Sequence, residues 1–146
     1  YDLKGTPLEG VVKKYIIIER NGLKIGVLAL DPKLEGLVSK VNYGIIKYLD
    51  PIAVANDMAT MLKKKQNCDL VICISHLGWE ENGMGDQMMI AGSRDIDLVL
   101  GGHSHTYFKT LRYVKNLDGK DIPVDQNGKN AIYVGKMVLD FTQNKK

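Results

Sequence analysis

The order of apolar and polar residues predicts a chain that alternates strands and helices. Two β-rich runs, residues 13–19 and 23–31, flank Asn21-Gly22. This dipeptide is typical of a tight hairpin because both of its positions tolerate positive φ. Residues 25–30 are almost entirely apolar, as expected of a strand that is covered on both faces. We therefore predict a hairpin whose second strand lies inside a sheet.

A helix is predicted from Asp50 to Lys65. Asp50 is a suitable N-cap residue, and Pro51 suits the first helical position because it needs no hydrogen-bonded N–H there. Residues 63–65 are three lysines in the last turn, where cations complement the helix dipole, and we interpret them as a solvated helix end. The stripe predicted to pack on the sheet consists of Ile52, Ala55, Ala59 and Leu62.

Two short apolar runs each lead to histidine. Residues 70–75 precede His76, and residues 97–100 are followed by two glycines, His103 and His105. If the two runs are neighbouring parallel strands, their carboxyl ends meet at one edge of the sheet, where α/β proteins gather their ligands. We therefore expect these three imidazoles, the only ones in the chain, to converge there.

The remaining pattern completes the predicted fold class. A short helix over residues 87–93, capped by Asp86, is expected between the two histidine-bearing strands. Strand, helix and strand in alternation indicate βαβ units and a parallel sheet. The sequence thus predicts an α/β fold with a mixed sheet, in which βαβ units are followed by antiparallel strands at residues 107–115, 130–134 and 136–141.

The three histidines predict a metal site. Neutral imidazole is a ligand for zinc, manganese, cobalt and iron, and the pattern does not distinguish among these ions. Gly101-Gly102 lets the backbone of the second loop approach its neighbour closely. Three histidines also suffice for a catalytic zinc ion with one open position. A self-sufficient zinc hydrolase that uses His76, His103 and His105 therefore stays open at this point.

Composition narrows the choice of function. The chain has 146 residues, a net charge of +3 and dispersed basic residues, so it lacks the basic stripe that nucleic-acid binding requires. No apolar run approaches the roughly 20 residues of a membrane span. Cys68 and Cys73 would lie roughly 16 Å apart along an extended segment, beyond disulfide reach. The chain begins at Tyr1 rather than at methionine, and we expect it to be a fragment.

Four segments, in order, resemble the calcineurin-like metallophosphoesterases of the 5′-nucleotidase / 2′,3′-cyclic phosphodiesterase family; they are residues 26–30, 74–78, 95–106 and 133–137. The resemblance implies an αββα sandwich with two divalent metal ions between its sheets, hydrolysing phosphate esters of nucleotides. It implies that His76 and His103 bind one metal ion and that His105 binds the other. It also implies a periplasmic or secreted parent protein.

The sequence departs from the family at its beginning. Members open with Asp-x-His, Gly-Asp and Gly-Asn-His-Glu motifs, which supply the bridging aspartate, the remaining ligands and the histidine that assists the leaving group. None of these motifs occurs before His76 in the chain. Residues 1–146 are therefore expected to form one partial catalytic domain, its carboxyl-terminal half, whose partner is the missing amino-terminal half.

We accordingly expect no catalytic residue in this chain and no hydrolysis by the chain alone, although the parent protein would be an enzyme with a nucleotide or another phosphoester as its substrate. The alternative is a non-catalytic, truncated αβ module that binds metal weakly or serves only a structural role.

Overall fold

The computed structural model describes residues 1–80 and 83–141. The predicted hairpin is confirmed: β1 (Tyr15–Arg20) and β2 (Leu23–Leu30) pair antiparallel. Asn21 and Gly22 join them with φ of 51° and 78°. These positive values are those of a two-residue hairpin turn, which explains why the Asn-Gly dipeptide marks the turn in the sequence.

The described residues form one six-stranded mixed sheet. The other strands are β3 (Leu70–Ser75), β4 (Leu98–Leu100), β5 (Arg112–Lys115) and β6 (Asp121–Asp125). Their order across the sheet is β1-β2-β3-β4-β6-β5. The neighbours β2, β3, β4 and β6 run parallel, whereas the edge strands β1 and β5 pair antiparallel with theirs. The predicted α/β class with a mixed sheet is confirmed.

The long predicted helix is present with a modified end. α1 (Lys40–Tyr43) is a short preceding turn, and α2 (Pro51–Thr60) continues directly into a π-helical turn, Met61–Lys65. Asp50 caps α2 as predicted, accepting a hydrogen bond of 2.8 Å from the N–H of Ala53. The side chains that this helix buries are Pro51, Ala55, Ala59 and Leu62; the predicted Ile52 is only half-buried.

The two faces of the sheet differ sharply. Residues of β2, β3, β4 and β6 on the inner face pack against α2 and α3 (Asp86–Ala91), and they form the core: Leu28, Val71, Cys73, Val99, Ile122 and Val124. Cys73 and Cys68 are both free, as expected from their spacing. The outer face instead leaves apolar side chains exposed, and we use "outer face" for the set Ile16, Ile18, Ile74 and Leu100.

The prediction for the last third of the chain was largely wrong. Only residues 112–115 of the predicted strand 107–115 are extended in the sheet, and residues 130–141 contain no strand. The missed strand is β6, which carries Pro123 at its centre. Proline argues against a strand because it has no N–H for the ladder. Here β6 pairs with β4 only from Val124 onward, so Pro123 stands before that ladder.

None of the helices in the described part of the chain is long and apolar enough to cross a membrane.

Candidate metal centre

The histidine loops lie at one edge of the sheet. β3 and β4 are parallel neighbours, with Ile74 opposite Leu100. His76 directly follows β3, and its N–H donates a hydrogen bond of 2.8 Å to the carbonyl oxygen of Leu30 in β2. The loop that follows β4 begins at the same edge with Gly101 and continues to the other two histidines. The topology thus delivers both histidine-bearing loops to the carboxyl end of the parallel strands.

His76 and His103 are brought into contact. Their ring centroids are 5.0 Å apart, and the ring planes meet at 69° in an edge-to-face arrangement. Gly102 makes this approach possible, because a Cβ atom there would lie 3.1 Å from Nδ1 of His76 and 3.4 Å from the carbonyl oxygen of Ser75. His76 is exposed and His103 is half-buried, so the pair is open to solvent.

His105 occupies the same loop but is exposed. It and His103 both adopt left-handed backbone conformations, with φ of 57° and 71°. Residues with this φ are uncommon outside glycine, although histidine is among those that tolerate it. His103 and His105 flank Ser104, and their conformations turn the chain sharply after Gly102.

The contact between His76 and His103 fits two ligands of one metal ion. An imidazole nitrogen binds zinc at about 2.0–2.1 Å, so two rings on a single tetrahedral ion have centroids roughly 5 Å apart. The observed 5.0 Å agrees with this value. Across residues 1–80 and 83–141, however, no group of three or more histidine, cysteine, aspartate or glutamate residues is close enough to hold a metal ion. The described residues therefore offer two imidazoles rather than a full ligand set, which argues against the self-sufficient three-histidine hydrolase.

A partly buried hydrogen-bond network supports the second loop. Ser104 Oγ accepts a hydrogen bond of 3.0 Å from the N–H of Trp79, in the loop after His76. Gln126, which follows β6, is buried, and its Oε1 accepts from the Ser104 hydroxyl at 2.9 Å and from the N–H of Thr106 at 2.7 Å. The two hydroxyls of Ser104 and Thr106 are themselves 2.9 Å apart. The two histidine loops are therefore joined through side chains.

Asp86 lies beneath this loop and does not cap α3 as predicted. The N-cap residue is Gly85, because Asp86 is already helical and its carboxylate turns inward. Neither carboxylate oxygen has a hydrogen-bond partner in the described residues. Burial raises the pKa of Asp86 to about 6, against a smaller opposing effect of the nearby Ser75 hydroxyl. A Cβ atom on Gly101 would lie 2.5 Å from its Oδ2, so only glycine fits above it.

Sequence reasoning missed Ser104, Gln126 and Asp86. Ser104 carried a weak signal, since a hydroxyl between two candidate ligands is placed to fix a loop. Gln126 follows a strand that was not predicted, and Asp86 was interpreted as a helix cap. Their common role depends on the approach of β6 and α3 to one loop, which no local pattern reveals.

Comparison with known proteins relates the chain to nucleotide phosphoesterases. It is 28% identical to an apyrase of Tabanus yao over 93% of its length, covering 26% of that protein. It is 33% identical to a 5′-nucleotidase of Vibrio cholerae over 62% of its length, covering 18% of that protein. No family model matches the chain.

Solved structures give the same relationship. A 5′-nucleotidase precursor of Thermus thermophilus superimposes with a TM-score of 0.73 at 27% identity, over 86% of this chain and 26% of that one. The NAD nucleotidase of Haemophilus influenzae does so with a TM-score of 0.67 at 27% identity, over 84% and 26%. The calcineurin-like phosphoesterase YfkN of Bacillus subtilis shares the fold, with a TM-score of 0.58. The chain is thus similar in sequence and in fold to 5′-nucleotidases and related nucleotide hydrolases, and it spans about a quarter of the length of the apyrase, the 5′-nucleotidase precursor and the NAD nucleotidase.

Proposed function

We propose that this chain is the carboxyl-terminal half of the catalytic domain of a metal-dependent phosphoester hydrolase that acts on nucleotides. The observation that carries the proposal is the contact between His76 and His103 at the carboxyl edge of the parallel strands. In it, His76 and His103 bind one divalent ion and His105 binds a second. Such ions polarise a phosphoryl oxygen and lower the pKa of bound water. The names of the relatives, 5′-nucleotidase and apyrase, support a nucleotide as the substrate.

The contribution of the chain itself is to hold and orient two imidazoles. Both rings stand on loops that leave the centre of the sheet, and the glycine at position 102 lets those loops touch. Zinc, manganese, cobalt and iron all suit imidazole ligands, so the proposal does not name one of them. The Thermus relative is a precursor by name, which supports an exported parent protein, periplasmic or secreted.

The charge of the available ligands indicates that the metal site needs further ligands from a partner. Two divalent ions in a hydrolase stand about 3.5–4 Å apart, and carboxylate ligands offset their repulsion. Neutral imidazoles add no negative charge, and the described residues contain no cluster of three metal-binding side chains. We therefore propose that the missing ligands come from the amino-terminal half of the domain. By itself the chain binds at most one ion, weakly, and hydrolyses no nucleotide.

The outer face of the sheet supports this partner. Ile16, Ile18 and Ile74 stand on the same side of the sheet, with exposed fractions of 44%, 37% and 51%. An apolar surface of this kind marks an interaction site, because water does not solvate it favourably. In an αββα sandwich the second sheet covers this face and brings its own ligands to the same edge. The outer face and the histidine edge would then be completed by one partner.

Complementation tests the proposal. Phosphate release from a nucleoside 5′-monophosphate is measured with added manganese or zinc, for the chain alone and with a polypeptide that carries the amino-terminal half. We expect no turnover by the chain alone and turnover by the pair. His103→Asn should abolish the restored activity; asparagine is chosen because it tolerates the positive φ at this position.

Two controls make the outcome decisive. Lys115→Ala, at an exposed position of β5, should leave the restored activity unchanged. Turnover by the isolated chain that His103→Asn abolishes would contradict the half-site and revive the three-histidine hydrolase. If the pair is inactive and binds no metal, the alternative of a non-catalytic αβ module is favoured instead.

A further inference from the structure

Ser104 has its full hydrogen-bonding capacity engaged. A serine hydroxyl has one hydrogen to donate and two lone pairs with which to accept. Its oxygen lies 3.0 Å from the backbone nitrogen of Trp79, 2.9 Å from the Thr106 hydroxyl and 2.9 Å from Gln126 Oε1. Because Gln126 Oε1 can only accept, Ser104 donates to it, and the Thr106 hydroxyl must then donate to Ser104. The side chain thus holds three parts of the chain at fixed distances.

Gln126 has its amide orientation fixed by the same loop. The backbone N–H of Thr106 can only donate, so the atom 2.7 Å from its nitrogen must be the amide oxygen. The amide nitrogen therefore points the other way, toward Gly101, where a Cβ atom would lie 3.1 Å from it and 2.5 Å from Asp86 Oδ2. This amide nitrogen and the Asp86 carboxylate are buried on one side of the loop, and neither has a hydrogen-bond partner in the described residues.

We propose that Ser104 and Gln126 are positioning residues that hold the His76 and His103 imidazoles as a pair. The bond from the Trp79 N–H to Ser104 ties the loop after His76 to the loop that carries His103. The bond from Ser104 to Gln126 then ties that loop to the end of β6. Removing the Ser104 hydroxyl breaks both of these bonds at once, while each histidine keeps its own side chain.

The role in metal binding rests on the proposed function, whereas the role in fixing the loops does not. Partners that orient metal ligands from behind typically change metal affinity by about 10–100-fold when they are removed. We therefore expect Ser104→Ala to weaken zinc binding by about tenfold or more. It should also move the histidine ring resonances in the absence of metal.

The experiment uses the 146-residue chain. Zinc affinity is measured by calorimetry, and the imidazole resonances and ring-to-ring contacts of His76 and His103 are recorded by NMR without metal. Ser104→Ala should shift both rings and weaken their mutual contact, and Ser104→Thr, which keeps the hydroxyl, should restore them. Thr110→Ala, at an exposed position after the loop, is the matched control and should change neither reading.

The outcomes separate this proposal from the proposed function. If the wild-type chain binds no zinc, metal binding by the isolated half fails, and the metal-free NMR comparison still decides the positioning role. If Ser104→Ala leaves the rings and the zinc affinity unchanged, the positioning role is overturned. If Ser104→Ala does not fold, Gln126→Met replaces it. That variant removes the amide oxygen to which Ser104 donates at 2.9 Å, and unchanged ring resonances would again overturn the proposal.

Discussion

Asp86 is a carboxylate whose environment departs far from that of its free side chain in water. It is fully buried and its pKa is raised from 3.8 to about 6, chiefly because burial disfavours the charged form. A folded-state pKa above the unfolded value means that the folded chain binds the proton more tightly. The resulting penalty on stability is absent below about pH 4, grows between about pH 4 and 6, and is complete above about pH 6.

Asp86→Asn should therefore stabilise the chain at pH 8 and have little effect at pH 4. A shift of about two pKa units corresponds to about 3 kcal/mol, which is the largest gain that we expect in the free energy of unfolding. Urea unfolding at both pH values measures it, with the exposed Asp57→Asn in α2 as the control. A gain that is equal at pH 4 and pH 8 would show that ionisation of Asp86 is not its cause.

At the scale of elements, the junction of α2 with the sheet depends on one close contact. Leu62 is fully buried in the π-helical turn and lies over Gly26 of β2, where a Cβ atom would stand 2.9 Å from its Cδ2. The Leu62 side chain thus occupies the space that a side chain at position 26 would need. In the same turn, Lys64 and Lys65 are exposed as predicted, whereas Nζ of Lys63 lies 2.6 Å from Oδ2 of Asp97 and ties the turn to the start of β4.

Leu62→Ala should lower the free energy of unfolding by about 2–5 kcal/mol, because it leaves a cavity above Gly26 that the sheet cannot fill. Denaturant unfolding with circular dichroism measures the loss. Ile52→Ala is the comparison, since this residue of the predicted stripe is only half-buried and should cost less. If the two losses are equal, the π-helical turn does not direct Leu62 into the core.

The sequence predicted those elements whose signals are local. The Asn21-Gly22 hairpin, the cap at Asp50 and the two apolar strands before the histidines all follow from adjacent residues. β6 was missed because Pro123 outweighs Ile122 and Val124 in the local pattern, although both are fully buried once the strand lies between β4 and β5. The histidine edge was predictable from the strand ends.

The side chains that lie behind the histidine loops could not be predicted from the sequence. Gln126 reaches the loop only because β6 pairs with β4, which is separated from it by about twenty residues of sequence. Asp86 reaches it only because α3 packs across the sheet. Such groups are recognised from their burial and their missing or saturated hydrogen bonds, and both properties exist only after the chain has folded.

At the scale of the whole molecule, the outer side of the described sheet is only partly covered. The inner face carries α2 and α3, and the outer face exposes Ile74 at 51% and Leu100 at 38%. β1 and β5 are edge strands of this sheet. The isolated chain should therefore associate through the outer face when no partner covers it.

Ile74→Ser should reduce self-association of the isolated chain and also prevent restoration of activity by the amino-terminal half. Both effects share one cause, the loss of apolar area at the centre of the outer face. Sedimentation measures the first and phosphate release the second. Leu117→Ser, at an exposed apolar position in the turn between β5 and β6, is the matched control, and it should affect the restored activity less. Unimpaired restoration by Ile74→Ser would exclude this face as the docking surface.

The two facing histidines belong to a single βαβ unit that begins with β3, and this has a consequence for how the molecule assembles. About 30 residues separate the start of the unit from His103, and the entropy lost in closing a loop grows only with the logarithm of its length. Contacts between residues near in sequence form quickly. We therefore expect the imidazoles to meet once this unit forms, before β2 pairs with β3 across a longer stretch of sequence. A cation captured at that stage would favour the folded chain by mass action, so that the supply of metal would govern the yield of folded protein.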